Sequence, residues 1–122
     1  MKLHASLPRG VNTITGYGEG YVLVNGVRRD TSVVVLPDRT ESWPAARFDE
    51  LTAEHFLFLK QLQVEIILLG TGTRQRFPHP RLTAALAQAG IGLEVMDVQA
   101  ACRTYNILVA EERRVAAALL FE

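Results

Sequence analysis

A chain of 122 residues, 48% hydrophobic and 21% charged, has enough apolar mass to bury the core of one domain and too much of it to remain disordered. Thirteen basic and thirteen acidic residues cancel to a formal net charge of zero, which excludes a global field for nucleic acid or an anionic membrane and leaves self-association open. The single cysteine, Cys102, excludes an internal disulfide and fits a reducing compartment.

The opening residues, MKLHASLPRG, hold no apolar stretch of signal-peptide length, and the longest apolar runs, VVVL and IILL, fall far short of the roughly 20 residues a bilayer span requires. We expect an unexported, cytoplasmic chain without a transmembrane segment, one domain over 1–122 with residues 1–10 loosely held. From Asn12 to Val24, NTITGYGEGYVLV mixes β-branched and aromatic residues with three glycines, the pattern of short twisted strands with a bend or bulge. Asn25-Gly26 suits a two-residue type I′ turn, in which both central positions need positive φ, so YVLV and VRRDTSVVVLP should pair as a β-hairpin. The second arm loses polarity as it proceeds, so Val33–Leu36 should enter the covered centre of a sheet, closed by Pro37.

Pro37 to Phe48 reads as a turn-rich connection, with Trp43-Pro44 folded back over the edge of the core. Thr52 is a good N-cap for a helix over 53–62 whose Phe56, Leu59 and Leu62 share a face with Leu57 beside them; His55 reads as a partly exposed helix residue. Val64 to Leu69, the most apolar stretch, is a central strand. Pro80 fits the first turn of a helix running to Gln88, and Gly90 fits its C′ position. Ile91–Met96 is the next strand, Asp97 caps a helix over Val98–Glu112, and Val115–Phe121 is the last strand. This order predicts an α/β layered domain with parallel central strands where crossover helices join them, the hairpin extending that sheet or capping one end.

The candidate site lies at IILLGTGTRQRFPHP. A strand followed by Gly70-Thr71-Gly72 is where doubly wound proteins place phosphate, because backbone N–H groups and a helix dipole converge there. A dinucleotide fingerprint would need a third glycine at position 75, which is Gln75, and a P-loop would need a Gly-Lys-Ser or Gly-Lys-Thr that is absent. Two readings remain. In one, Gly70, Thr71, Gly72 and Thr73 turn the chain out of the sheet with Arg74, Arg76 and Arg81 solvated; in the other, their amides form a small anion nest assisted by Arg74. The parallel topology would bring Glu94 and Asp97 to the same crevice, Asp97 as helix cap, as holder of a ligand hydroxyl, or as both.

In the helix ACRTYNILVAEERR, Val98, Ala101, Cys102, Tyr105, Leu108 and Val109 form one apolar stripe. Arg103 and Asn106 fall off it, with Thr104 flanking them. A threonine and an asparagine inside a helix imply a tertiary hydrogen bond, a ligand contact or a partner contact. Cys102, on the stripe with no histidine close in sequence, reads as a packed thiol rather than a nucleophile. His4, His55, His79 and the acids show no metal-ligand spacing, and neither a metal nor a cofactor is expected.

Taken together, the Asn25-Gly26 hairpin, Ser42-Trp43-Pro44, LLGTGTRQ, GLEVMD, ACRTYNIL and the closing VAAALL resemble the small α/β family related to the mitochondrial complex I assembly factor 3, over about residues 10–121. The resemblance implies a three-layer fold whose mixed central sheet has one antiparallel strand. It also implies that Gly70, Thr71, Gly72, Thr104, Tyr105 and Asn106 fall on recurrent motifs, and that function rests on protein contacts. The chain lacks an Arg- and Ser-rich targeting extension, so it looks like a bacterial cytoplasmic member. The expected function is a non-enzymatic interaction or assembly-factor-like module with a protein partner. The alternative is a small-molecule site at Gly70–Arg74 and the Asp97 helix start.

Overall fold

The computed structural model describes residues 10–122, so the expectation for 1–10 falls, apart from Gly10, outside the described residues. Two sheets form. The first is a three-stranded antiparallel sheet of β1 (Ile14–Gly18), β2 (Tyr21–Val24) and β3 (Val27–Arg29). Asn25 and Gly26 sit at φ of 50° and 80°, the two positive angles a type I′ turn requires, so the hairpin closes as the Asn-Gly pair dictates.

The second arm does not continue as one strand. Val27–Arg29 is exposed throughout and Val33–Val35 is fully buried. The chain therefore breaks between them and leaves the first sheet, which neither extends nor prolongs the second. Val33–Val35 becomes β4 of a five-stranded sheet ordered β5-β4-β8-β6-β7, with β5 at Thr40–Ser42, β6 at Ile66–Thr71, β7 at Gly92–Met96 and β8 at Val115–Leu120. The connection after Pro37, expected to be all turn, thus contributes an edge strand. β6 runs parallel to both β7 and β8, whereas β4 is antiparallel to β8 and to β5, so one strand opposes the other four. This is the mixed sheet that the family resemblance implies.

Helices cover both faces. On one side α1 (Ala53–Lys60) and α2 (Pro80–Gln88) bury Phe56, Leu59 and Leu86 against Val34, Ile67, Leu69, Ala116, Ala118 and Leu120. Trp43 is buried there, edge-on to Phe56, with its indole N–H donated to the His55 carbonyl at 3.3 Å. Thr52 and His55 form a reciprocal capping box in which the His55 ring accepts from the Thr52 amide, which gives the half-exposed histidine a local structural task.

On the other side α3 (Val98–Ala110) buries Ala101, Cys102, Tyr105 and Val109 against Leu68, Val115, Ala117 and Leu119, and the first sheet packs onto the same cluster through Ile14, Tyr17, Val22 and Val24. The layers are therefore helices, central sheet, and a third layer shared by α3 and the small sheet. α2 begins with Pro80 at its first position and ends before Gly90 at φ 74°; Asp97 caps α3 through a hydrogen bond from the Ala100 amide at 2.9 Å.

Gly70 lies inside β6, where a Cβ would stand 2.9 Å from Leu119 Cδ2 and 3.2 Å from both Ala101 Cβ and Val98 Cα. The absent side chain lets the first turn of α3 lie directly on the strand. Gly70→Ala should overpack this contact and lower unfolding stability by about 1–3 kcal/mol, read from the urea midpoint at an unchanged m-value.

Candidate functional site

The GTG segment ends β6 and is closed by groups of the chain itself. Thr71 is buried, with its hydroxyl 2.7 Å from the Arg74 carbonyl and accepting from the Arg76 amide at 3.0 Å, which ties the loop into a compact turn. Gly72 sits at φ 88°, where a Cβ would meet the Glu122 carbonyl oxygen at 2.6 Å. Its own carbonyl accepts from the Val98 amide at 2.8 Å, and the Thr73 amide donates to Glu122 O at 3.2 Å. Gln75 donates to the Val95 carbonyl on β7 at 2.9 Å. Arg76 anchors the loop from the inner side. Its guanidinium lies 4.3 Å over the Phe48 ring, bonds Asp49 at 2.6 Å and Glu122 at 3.1 Å, and the Glu122 carboxylate also accepts from the Phe48 amide.

A cleft of about 680 Å³ opens where this loop meets the first turn of α3, the β1–β2 turn and the end of β8. The topology accounts for its position. From β6 the chain steps outward to β7 through α2, then returns past β6 to β8 through α3 on the opposite face, so the connections leaving the carboxyl ends of β6 and β7 pass to opposite faces of the sheet, a topological switch point. Gly72, Thr73 and Asp97 line this cleft together with Tyr17–Gly20, Val98, Gln99, Phe121 and Glu122; among the described residues the lining includes three carboxylates, Glu19, Asp97 and Glu122, and no Lys or Arg.

The other expected site residues stand elsewhere. Gly70 is under α3, Thr71 is inside the turn, and Arg74 is exposed and outside the lining, its guanidinium making no hydrogen bond or ion pair among the described residues. Arg103 reaches the rim by donating to the Tyr17 hydroxyl at 3.0 Å, and Thr104 is half-buried on α3. Asn106 is not off the apolar stripe. It is buried, accepts from the Ile14 amide at 2.9 Å and donates to the Ile14 carbonyl at 2.8 Å, so one side chain satisfies both backbone groups of a β1 residue. Of the three purposes open to it in the sequence, the tertiary hydrogen bond is the one it serves. Nothing local in the sequence marks Glu122 or Tyr17 as cleft residues, because their partners lie far away along the chain.

Cys102 is fully buried, and loss of solvation pushes its thiol up to about 12, with the Arg103 charge opposing and the Asp97 charge reinforcing. Burial, then the Asp38 charge, likewise raises the Tyr105 hydroxyl, which donates to the Asn12 carbonyl at 2.9 Å.

The sequence from Ile14 to Leu120 matches the family model described as "Protein of unknown function (DUF498/DUF598)". The chain belongs to this DUF498/DUF598 family. Its relatives include a protein of Bos taurus named NADH dehydrogenase (ubiquinone) 1 alpha subcomplex assembly factor 3, 34% identical over 109 residues that make up 88% of this chain and 59% of the relative. The resemblance read from LLGTGTRQ and TYN is thereby borne out. The chain spans about three-fifths of the length of the assembly-factor relatives it matches. Among solved structures, a Bordetella parapertussis protein superposes with a TM-score of 0.88 at 43% identity, covering 94% of this chain and 100% of that one. A Bordetella pertussis protein described as an Mth938-like domain gives 0.81 at 37% identity, covering 99% and 92%. Among the described residues no helix is long and apolar enough to cross a membrane.

Asn106→Leu should strand the amide and carbonyl of Ile14 and cost about 2–4 kcal/mol in urea unfolding, whereas Arg74→Ala should stay within about 0.5 kcal/mol of the parent. Alkaline stability follows from Cys102 and Tyr105, both of which hold their protons more tightly in the fold than their ordinary values of 9.0 and 10.0 allow. Above pH 9 the unfolded chain binds fewer protons than the native one, so stability should be fully retained below pH 9 and fall as pH rises toward 12. Urea midpoints across that range should show the decline starting later in Cys102→Ala.

Proposed function

We propose that the chain is a non-enzymatic protein-interaction module, assembly-factor-like in use, acting in the bacterial cytoplasm. The observation that carries this reading is the internal occupation of the candidate ligand groups. The Thr73 amide, the Thr71 hydroxyl, the Asp97 cap and the Asn106 amide are all engaged by other groups of the chain. The glycines are explained by the close approach of α3 and Glu122. A fold whose polar groups are taken up internally works through its exterior, and the kinship with proteins named as assembly factors supports that direction. The experiment is reciprocal purification: the chain, tagged and expressed at its native level, should recover one protein reproducibly at physiological salt, and that protein, tagged in turn, should recover the chain. Recovery of no protein in either direction overturns the reading.

A second reading rests on the cleft at the switch point, whose 680 Å³ is within the size range of small-molecule sites. With Glu122 paired to Arg76, the charges left to the cleft are those of Glu19 and Asp97, which favour a neutral or cationic occupant over an anion. A thermal-shift panel of nucleotides, phosphorylated metabolites, simple anions and polyamines separates the two, since a ligand at a hundred times its Kd adds about 2.7 kcal/mol to stability. A shift abolished by Asp97→Asn locates a ligand in the cleft, and one abolished by Arg74→Ala restores the anion nest.

A further inference from the structure

We infer that the loop between β6 and α2 is the docking surface of this module, with Phe77 as the anchor for a partner protein segment that presents an apolar pocket rimmed by carboxylates; this rests on the interaction reading above. Phe77 is the most exposed large apolar residue among those described, at 70%. An exposed aromatic on a mobile loop would mean little, but this loop is tied down on every side. Thr71 closes its first turn, Gln75 bonds the Val95 carbonyl, and Arg76 is held by Phe48, Asp49 and Glu122. Beyond Phe77, Pro78 and Pro80 restrict the backbone, and the His79 ring accepts from the Arg81 amide to cap α2. The aromatic is thus held outward before any partner arrives, which spares the ordering entropy that weakens flexible interfaces. Phenylalanine beside arginine is also the composition that interface anchors favour.

Charge selects the partner. Between Glu65 and Glu94 the chain has no acidic residue, and this stretch carries Arg74, Arg76 and Arg81 within a molecule of zero net charge. Arg76 is neutralised within the fold, whereas Arg74 and Arg81 are exposed and make no side-chain hydrogen bond or ion pair among the described residues. Two open guanidinia flanking one aromatic match a carboxylate-rimmed apolar pocket. An anionic bilayer fits less well, because lipid-binding segments gather about four to eight cations or an amphipathic helix.

The test places photoreactive p-benzoylphenylalanine at position 77, and separately at the exposed positions 27 and 107, in the full chain in its host cell; cross-linked peptides are sequenced by mass spectrometry. The expected product from position 77 is one protein, joined through a segment rich in Asp and Glu, in higher yield than from 27 or 107. Arg74→Glu with Arg81→Glu should lower that yield by about tenfold or more. Products from 27 or 107 alone overturn this surface and leave the interaction module standing, whereas no protein product from any position overturns both. A cross-link to a second copy of the chain, or to a segment without carboxylates, overturns the inference. So does co-sedimentation with phosphatidylglycerol–phosphatidylethanolamine vesicles that Phe77→Ser abolishes.

Discussion

The architecture depends on β8 being covered on both faces. Residues 115, 117 and 119 point into one helix layer and 116, 118 and 120 into the other, and all six are buried. A strand in that position cannot alternate polar and apolar residues, and three consecutive alanines keep it thin enough for helices to approach from both sides. The same requirement recurs next door, where Gly70 removes even the methyl group under the first turn of α3. Small residues at the centre thus set the separation of the layers, and the larger side chains of α1, α3 and β6 fill what remains.

The third layer is attached by different chemistry. The small sheet contributes apolar residues to the α3 cluster, but β1 and the residues leading into it also bring backbone groups that no neighbouring strand satisfies among the described residues. Asn106 takes both groups of Ile14, and Tyr105 takes the Asn12 carbonyl. One turn of helix therefore reads the main chain of the strand, which fixes orientation in a way that hydrophobic contact alone does not. Asn12 completes the attachment at the other end, where its amide and side chain donate to the carbonyls of Pro37 and Leu36.

The sequence disclosed local features well. The N-caps Thr52 and Asp97, Pro80 at the first position of α2 and Gly90 just past its end stand where backbone chemistry requires them, and the Asn-Gly turn forms as its two positive φ angles dictate. What escaped it was set by distant partners. The break between β3 and β4 depends on two sheets competing for one run of residues. β5 is a strand because β4 offers it an edge, despite a composition suited to turns. Asn106 looked displaced from the apolar stripe only because it is polar. It lies one turn beyond Cys102 and three residues before Val109, on the buried side, and its partner is 92 residues away. The cleft was half legible: parallel topology brings Asp97 to the glycine loop, but Glu122 and the β1–β2 turn enter it through tertiary packing.

Gln75 has a consequence for solubility. β7 closes one side of the central sheet and, among the described residues, pairs only with β6, so its outer row of backbone groups is a template on which another strand could add. The Gln75 amide occupies one of those carbonyls, at Val95, and Glu94 places an exposed charge beside it. Together they deny a passing β-strand the continuous register it would need to add itself to the sheet. In a chain without net charge to keep copies apart, that local obstruction does the work that long-range repulsion performs in more highly charged proteins.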